Sequence, residues 1–220
     1  MCSDEAFERS DADPRMAGLL AFNQNRKASS RENLLMAAIK RFCRDGYAAV
    51  AVEDITSEAG VSRVTFYRHF ASKSAVALEL FQRAAAEGAP RMLEIGALDY
   101  RDRATVVQWL ADFFAADREM RGILRVLGQA NLVEADFSQA VQPFIFDLIG
   151  ALGRTIPAFA IDPDQPAEQR RWVKAWLLIY TILDQSNYAA TRSGVASNPM
   201  MIEVLADSFL AFVRGDDKAD

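Results

Sequence analysis

The feature that most constrains this fold is a pair of short apolar stripes on either side of the tight turn Ala59-Gly60-Val61-Ser62. Val52 and Ile55 keep helical spacing before the turn, and Phe66 and Phe70 lie one helical turn apart after it. Glycine allows the left-handed backbone that ends a helix, and a serine side chain can accept from the first N–H groups of the next. The segment therefore predicts a helix-turn-helix.

Helical spacing also dominates the rest of the chain, and no strand-like alternation is sustained over several segments. The pattern predicts a helix that ends at Gly46, and another that Ser72 caps and that runs to about Gly88 and Pro90. Five longer helices are predicted near Thr105–Ala116, Met120–Ala135, Gln139–Thr155, Pro166–Ser193 and Pro199–Val213, with Pro166 in a first helical turn. The predicted class is all-α, with an N-terminal three-helix domain followed by a larger helical domain.

Charge divides the chain into the same parts. Residues 1–25 carry a net −3 and show no clear period, so we interpret them as a loose N-terminal tail, with a helix near Met16–Phe22 as the alternative. Residues 26–85 carry ten basic and six acidic side chains, a net +4, whereas residues 86–220 carry thirteen and nineteen, a net −6. A basic module on an acidic chain is typical of a focused phosphate contact, although ordinary surface charge gives the same pattern. We assign 26–88 to a helix-turn-helix domain that is a candidate for phosphate contact, and 89–220 to a larger helical domain.

The bulk sequence indicates a cytoplasmic protein. No apolar run approaches the roughly 18 residues that a membrane span needs, and the first ten residues lack the apolar region of a secretion signal. The two cysteines, Cys2 and Cys43, lie in different contexts, which fits a reducing compartment better than a disulfide.

The second helix of the motif has the composition of a DNA reader. Its buried side is supplied by Phe66 and Phe70, and its start and outer side hold no acid. A major groove admits one α-helix and presents base edges to the helix's N-terminal residues. The candidate DNA-binding residues are Ser62, Arg63, Val64, Thr65, Tyr67, His69 and Lys73.

Residues 34 to 80 resemble the DNA-binding domain of TetR-family transcriptional repressors. The resemblance rests on Asp54-Ile55, the turn 59–62, the run Thr65-Phe66-Tyr67-Arg68-His69-Phe70, and Ser72-Lys73. It implies that Arg63, Val64 and Tyr67 reach base edges and that Thr65, Tyr67, His69 and Lys73 hold phosphates. It also implies dimerisation through the long C-terminal helices.

The chain departs from the family's pattern in two places. Val50 and Ala51 stand where the family commonly has Thr or Ser, so the usual side-chain cap of the first motif helix is missing, at a cost of about 1 kcal/mol. Ala75 stands where an acidic residue often follows the Ser-Lys pair. These departures concern individual contacts and leave the predicted fold unchanged.

An enzyme is the competing class, and the sequence argues against it. His69 is the single histidine, and it has no partner at the spacing of a metal site or a catalytic pair. The sequence contains no Glu-x-x-His pair, no phosphate-cradling glycine loop and no cysteine–histidine pair. We therefore predict no catalytic site, no metal and no cofactor.

Residues 89–220 are predicted to form a domain that binds an effector and contains the dimer interface. Its apolar stripes include polar residues, which favours a small apolar effector that some aromatic side chains would line. The alternative is an ordinary bundle core with intraprotein hydrogen bonds. The candidate effector residues are Trp109, Phe113, Asn131, Phe144, Tyr180 and Asp184.

The helices 166–193 and 199–213 are apolar on more than one side, so a partner subunit is expected to cover the second side. The sequence thus predicts a homodimer that binds a roughly palindromic double-stranded DNA operator, without a membrane partner. We expect a repressor that a small apolar effector releases. The alternative is a DNA-binding regulator controlled by a protein partner, or one without an effector.

Overall fold

The computed structural model describes residues 14–119, 121–191 and 199–215, and these residues form nine α-helices, two short 3-10 helices and no strand. The all-α prediction is confirmed. The 3-10 helices are Glu94–Ala97 and Pro157–Phe159. The α-helices are α1 Pro14–Asp45, α2 Val52–Ala59, α3 Arg63–His69, α4 Lys73–Leu93, α5 Arg103–Glu119, α6 Arg121–Val133, α7 Ala135–Leu152, α8 Gln169–Thr191 and α9 Pro199–Arg214.

The first helix begins earlier than the sequence predicts. Residues 14–25, expected in a loose tail, belong to α1, which starts at Pro14 and continues through good helix formers to Asp45. Gly46 then takes a φ of 85°, and its N–H donates to the Phe42 carbonyl at 3.0 Å, so the helix ends where predicted. The remainder of the predicted tail, residues 1–13, lies outside the described residues.

Two other predicted boundaries also move. Helix α4 continues through Pro90 to Leu93, because the buried side chain of Met92 and the packing of Leu93 favour another helical turn. Pro166 lies in a turn, and α8 begins at Gln169. The predicted helix end Ser193 and the predicted helix start Met120 lie outside the described residues.

Two apolar cores organise the helices, and α4 contributes to both. The first core joins α1–α4 with α6 and the start of α7, and Val76 and Leu80 are its contributions from α4. The second core joins α5, α7, α8 and α9 with the end of α4, through Met92. Because one helix crosses both cores, a displacement of α4 in one domain must disturb packing in the other.

A polar pair interrupts the second core between α5 and α8. Ser186 is fully buried, and its hydroxyl donates to Oδ2 of Asp117 at 2.6 Å. Burial raises the pKa of Asp117 above its ordinary value, and the Ser186 hydrogen bond and the charge of Arg91 act in the opposite direction. The carboxylate is therefore partly desolvated without a full charge partner.

We expect Asp117→Asn to stabilise the protein at pH 7. The pKa of Asp117 is higher in the folded state than in the unfolded state. Its contribution to the free energy of unfolding therefore falls as the pH rises from the ordinary carboxyl range through the folded-state pKa. The amide oxygen still accepts from Ser186 and carries no charge. Denaturant unfolding at pH 5 and pH 7 measures the effect, with the exposed Asp112→Asn as control. Equal destabilisation by Asp117→Asn at both pH values would contradict this interpretation.

Candidate nucleic-acid interface

The turn between α2 and α3 has the predicted geometry. Gly60 adopts φ 66° and ψ 33°, and the Val61 N–H donates to the Thr56 carbonyl at 3.0 Å. Ser62 then caps α3, because its side-chain oxygen accepts from the Thr65 N–H at 3.1 Å. Every residue between the two helices thus takes part in ending α2 or starting α3, and the turn sets the direction of α3.

Helix α3 is anchored on one side and open on the other. Phe66 is fully buried and Phe70 is 3% exposed, and their rings lie 5.9 Å apart in the first core. On the opposite side Val64 is 78% exposed and Tyr67 is 50% exposed. Large apolar side chains held outward on a short, anchored helix suit contact with another surface.

An acidic residue compensates in part for the absent cap of α2. Ala51 makes no side-chain hydrogen bond at the start of this helix, as the sequence predicts. Asp54 instead accepts from the Ala51 N–H at 2.8 Å, and its other oxygen lies 2.9 Å from Nη2 of Arg41 on α1. The carboxylate therefore ties the start of α2 to the first helix.

Arg63, a predicted base contact, is engaged by an acidic residue of α2. Its Nη1 lies 2.6 Å from Oε1 of Glu53, with side-chain exposures of 59% and 53%. A hydrogen bond to Tyr67 and the charge of Glu53 raise the pKa of Arg63. Glu53 does not stand out in the sequence, since an acidic residue in the first turn of a helix is common.

Lys73, a predicted phosphate contact, points into the loop between α1 and α2. Its Nζ donates to the carbonyls of Tyr47 and Val50, each at 2.9 Å, and lies 4.4 Å from the centre of the Tyr47 ring. Burial lowers the pKa of Lys73. Its phosphate role stays a prediction, and these bonds leave few of its donors for DNA.

The remaining predicted DNA contacts lie around the start and end of α3. Ser62 is exposed and Thr65 is half-buried, and their hydroxyl oxygens are 3.1 Å apart. His69 is half-buried, with Nε2 inaccessible to solvent. Ser62 and Thr65 therefore face the same end of α3 as Arg63, whereas the inner edge of the His69 ring faces the protein.

Comparison with known proteins agrees with this geometry. Residues 34–80 match the family model described as bacterial regulatory proteins, tetR family. The HTH-type transcriptional regulator YerO of Bacillus subtilis is 40% identical over 48 residues, which is 22% of this chain and 17% of YerO. In this segment the chain is similar to the helix-turn-helix domain of TetR-family regulators. Its match to this curated relative thus spans about a sixth of the relative's length.

Solved TetR-family structures extend the likeness to the whole fold. A regulator from Syntrophomonas wolfei superimposes with a TM-score of 0.60 at 15% identity, covering 87% of this chain and 98% of that one. A regulator from Mesorhizobium loti gives 0.57 at 19% identity, covering 86% and 98%. At such identities the likeness concerns the fold alone, an N-terminal helix-turn-helix domain followed by a helical domain.

The structure does not bring the six predicted effector residues together. Trp109 and Phe113 are buried and stack on each other, with ring centroids 5.3 Å apart. Phe144 packs edge-on against Phe81 of α4, at 5.6 Å. The other three are exposed to solvent, namely Asn131, Tyr180 and Asp184.

These placements have a common physical reason. A helical stripe read from sequence does not reveal which of its sides meets the core. Asp184 and Tyr180 lie on the outer side of α8, so Asp184 is solvated and needs no buried partner. Asp117 is a partly buried carboxylate of this domain, and no local pattern in the sequence distinguishes it from an exposed one.

Two clefts of the second domain lie away from those residues. An open cleft of about 500 Å³ is lined by residues of α7, the second 3-10 helix and the following loop, including Gly153, Phe159 and Asp162. Another of about 460 Å³ lies beside Tyr100 and Val213. Over the ranges that the structure describes, no three or more His, Cys, Asp or Glu side chains are grouped so that they could hold a metal ion. In the same residues, none of the helices combines the length and the apolar composition of a membrane span.

We expect Lys73→Met to lower the free energy of unfolding by about 1–3 kcal/mol, because two loop carbonyls lose their donor. Methionine retains an apolar stem, so the loss of the ammonium is tested rather than the loss of packing. Lys40→Met is the control, since Lys40 is exposed and pairs with Glu58. If urea unfolding gave the same free energy of unfolding for Lys73→Met and the wild type, the two loop hydrogen bonds would not stabilise the fold, and contact with DNA would remain as the role of Lys73.

Proposed function

We propose that this protein is a sequence-specific DNA-binding transcriptional regulator that acts as a homodimer. The observation that carries the proposal is α3 itself, a capped helix anchored by Phe66 that holds Arg63, Val64 and Tyr67 outward. A guanidinium reads guanine acceptors, a valine methyl can contact thymine, and a tyrosine can stack or donate to a phosphate. These are the side-chain chemistries that a major-groove reader needs.

Backbone and side-chain groups around α3 supply the proposed phosphate contacts. Ser62 and Thr65 offer hydroxyls at the start of α3, and His69 is proposed at its end. The N-terminal N–H groups of α4 point out of the Ser72 cap and favour an anion. Lys73 is proposed to act with these groups only through the donors that the loop carbonyls leave available.

The dimer proposal rests on the outer sides of α8 and α9. On α8 Val173 and Leu177 are 48% and 50% exposed, and Tyr180 and Tyr188 follow on the same stripe. On α9 Leu205 and Phe209 face the core, whereas Met200 and Val204 are exposed. An apolar stripe along a long surface helix favours a partner helix.

Repression is the proposed outcome, because a dimer seated in two major grooves excludes other proteins from the site. We further propose that a small apolar effector releases the protein from DNA. Such an effector must bind more tightly to the dimer state in which the two α3 helices are not spaced to enter successive major grooves. The stacked, buried Trp109 and Phe113 favour the alternative instead. A protein partner that contacts α4, or the absence of an effector, fits a closed core better than a ligand among those six residues.

We predict that Tyr67→Ala weakens binding to the protein's preferred duplex by tenfold or more, since an exposed stacking and donor group is lost at the interface. Selection from a random duplex library identifies the site, and fluorescence anisotropy at several salt concentrations gives the affinities. Wild-type binding should fall steeply with salt, because phosphate contacts release counterions. Phe146→Ala is the control, an exposed aromatic of the second domain. Equal affinities of the Tyr67 variant and the wild type would show that α3 is not the reader.

We predict that Leu177→Glu converts the dimer into a monomer at micromolar concentration, because the charge enters the exposed stripe of α8. Leu183, on the other side of α8, packs against the core and would confound assembly with folding. Leu132→Glu is the matched control, since Leu132 is 84% exposed at the end of α6. Sedimentation equilibrium decides: a wild-type monomer, or an unaffected Leu177→Glu dimer, would count against this interface.

A further inference from the structure

An ion pair joins the two helices of the motif on its open side. Glu53 lies in the first turn of α2 and Arg63 in the first turn of α3, and their Oε1 and Nη1 atoms are 2.6 Å apart. Both side chains are more than half exposed. An ion pair this exposed adds little to stability, so its position on the proposed DNA-facing side is the more informative property.

The guanidinium of Arg63 is held from two directions. Oε1 of Glu53 forms an ion pair with Nη1, and a side-chain interaction with Tyr67, one helical turn along α3, raises the Arg63 pKa. A guanidinium carries five N–H donors in a rigid plane. Two partners leave further donors in that plane, and two coplanar donors are what the O6 and N7 acceptors of guanine require.

The charge of Glu53 distinguishes base edges from phosphates. When Arg63 stays beside Glu53 and points at a base edge, the ion pair persists and strengthens as water leaves the interface. When Arg63 turns to a phosphate, Glu53 remains unpaired against a polyanion and is repelled. The charge of Glu53 therefore weakens binding to non-cognate DNA, where Arg63 would contact only phosphates.

We infer that Glu53 is a specificity-determining residue that positions Arg63 toward a base edge and disfavours binding to non-cognate DNA. The inference rests on the proposed DNA-binding function. Glu53 itself contacts no base in this account, because its role is exerted through Arg63. Its removal should therefore strengthen binding and weaken discrimination together, a combination that loss of a simple DNA contact does not produce.

The test compares Glu53→Gln with Glu58→Gln. Both variants remove one negative charge from α2, but Glu58 pairs with Lys40 of α1 rather than with α3. Each protein is used to select sites from a random duplex library, and its affinities for the wild-type site and for a scrambled duplex are measured. We expect Glu53→Gln to bind the scrambled duplex more tightly and to lose about fivefold or more of the affinity ratio. We also expect one base-pair preference per half-site to disappear, and Glu58→Gln to retain it.

A second pair of variants tests whether Glu53 acts through Arg63. In an Arg63→Ala background, Glu53→Gln should no longer lower the affinity ratio. An equal loss of discrimination in both backgrounds would overturn the inference, and so would a Glu53→Gln variant that selects the wild-type site with undiminished preference. Failure of the proposed function looks different, since the wild-type protein would then select no sequence at all, and the inference would fall with it.

Discussion

The orientation of the motif depends on how the loop between α1 and α2 is held, and one ammonium group holds it. Lys73 donates to two carbonyls of this loop and lies over the ring of Tyr47. A half-buried ammonium is costly unless its donors are satisfied, and a buried carbonyl is costly unless it accepts. The same contact therefore satisfies both groups and fixes the start of α4 against the entry to α2.

The second domain contacts the same loop. The Tyr47 N–H donates to Oε1 of Gln129, and its hydroxyl donates to Oε1 of Glu134, each at 2.8 Å. Burial, followed by the Glu134 hydrogen bond, raises the pKa of Tyr47, so the hydroxyl keeps its proton and remains a donor. Arg125 of α6 also donates to the Cys43 carbonyl at 2.7 Å. The helix-turn-helix is thus seated on α6 and the start of α7 rather than joined to them by α4 alone.

Sequence reasoning predicted the parts of this structure that local chemistry determines. The Gly60 turn, the Ser62 and Ser72 caps and the buried Phe66 and Phe70 follow from backbone freedom, capping and helical period, all of which act within a few residues. The two apolar sides of α8 were predicted for the same reason, as sides of a regular helix, but the sequence did not indicate which of them is exposed.

The parts that sequence reasoning missed depend on contacts between distant segments. Lys73 and Tyr47 are 26 residues apart, and Glu134 is 87 residues from Tyr47, so no local sequence pattern predicts their hydrogen bonds. Asp184 was placed in a buried site because its stripe is apolar, but that stripe faces outward. Periodicity reveals that a helix has sides, whereas tertiary packing decides which side is buried.

The central claim is that α3 reads a major groove in each subunit of a dimer, and methylation protection at guanine N7 tests it most directly. N7 lies in the major groove, so reagent access reports occupancy of that groove alone. On the duplex that the wild-type protein selects, we expect two protected patches that are related by two-fold symmetry and centred on successive major grooves. A single patch, or binding that leaves every guanine N7 open, would contradict it.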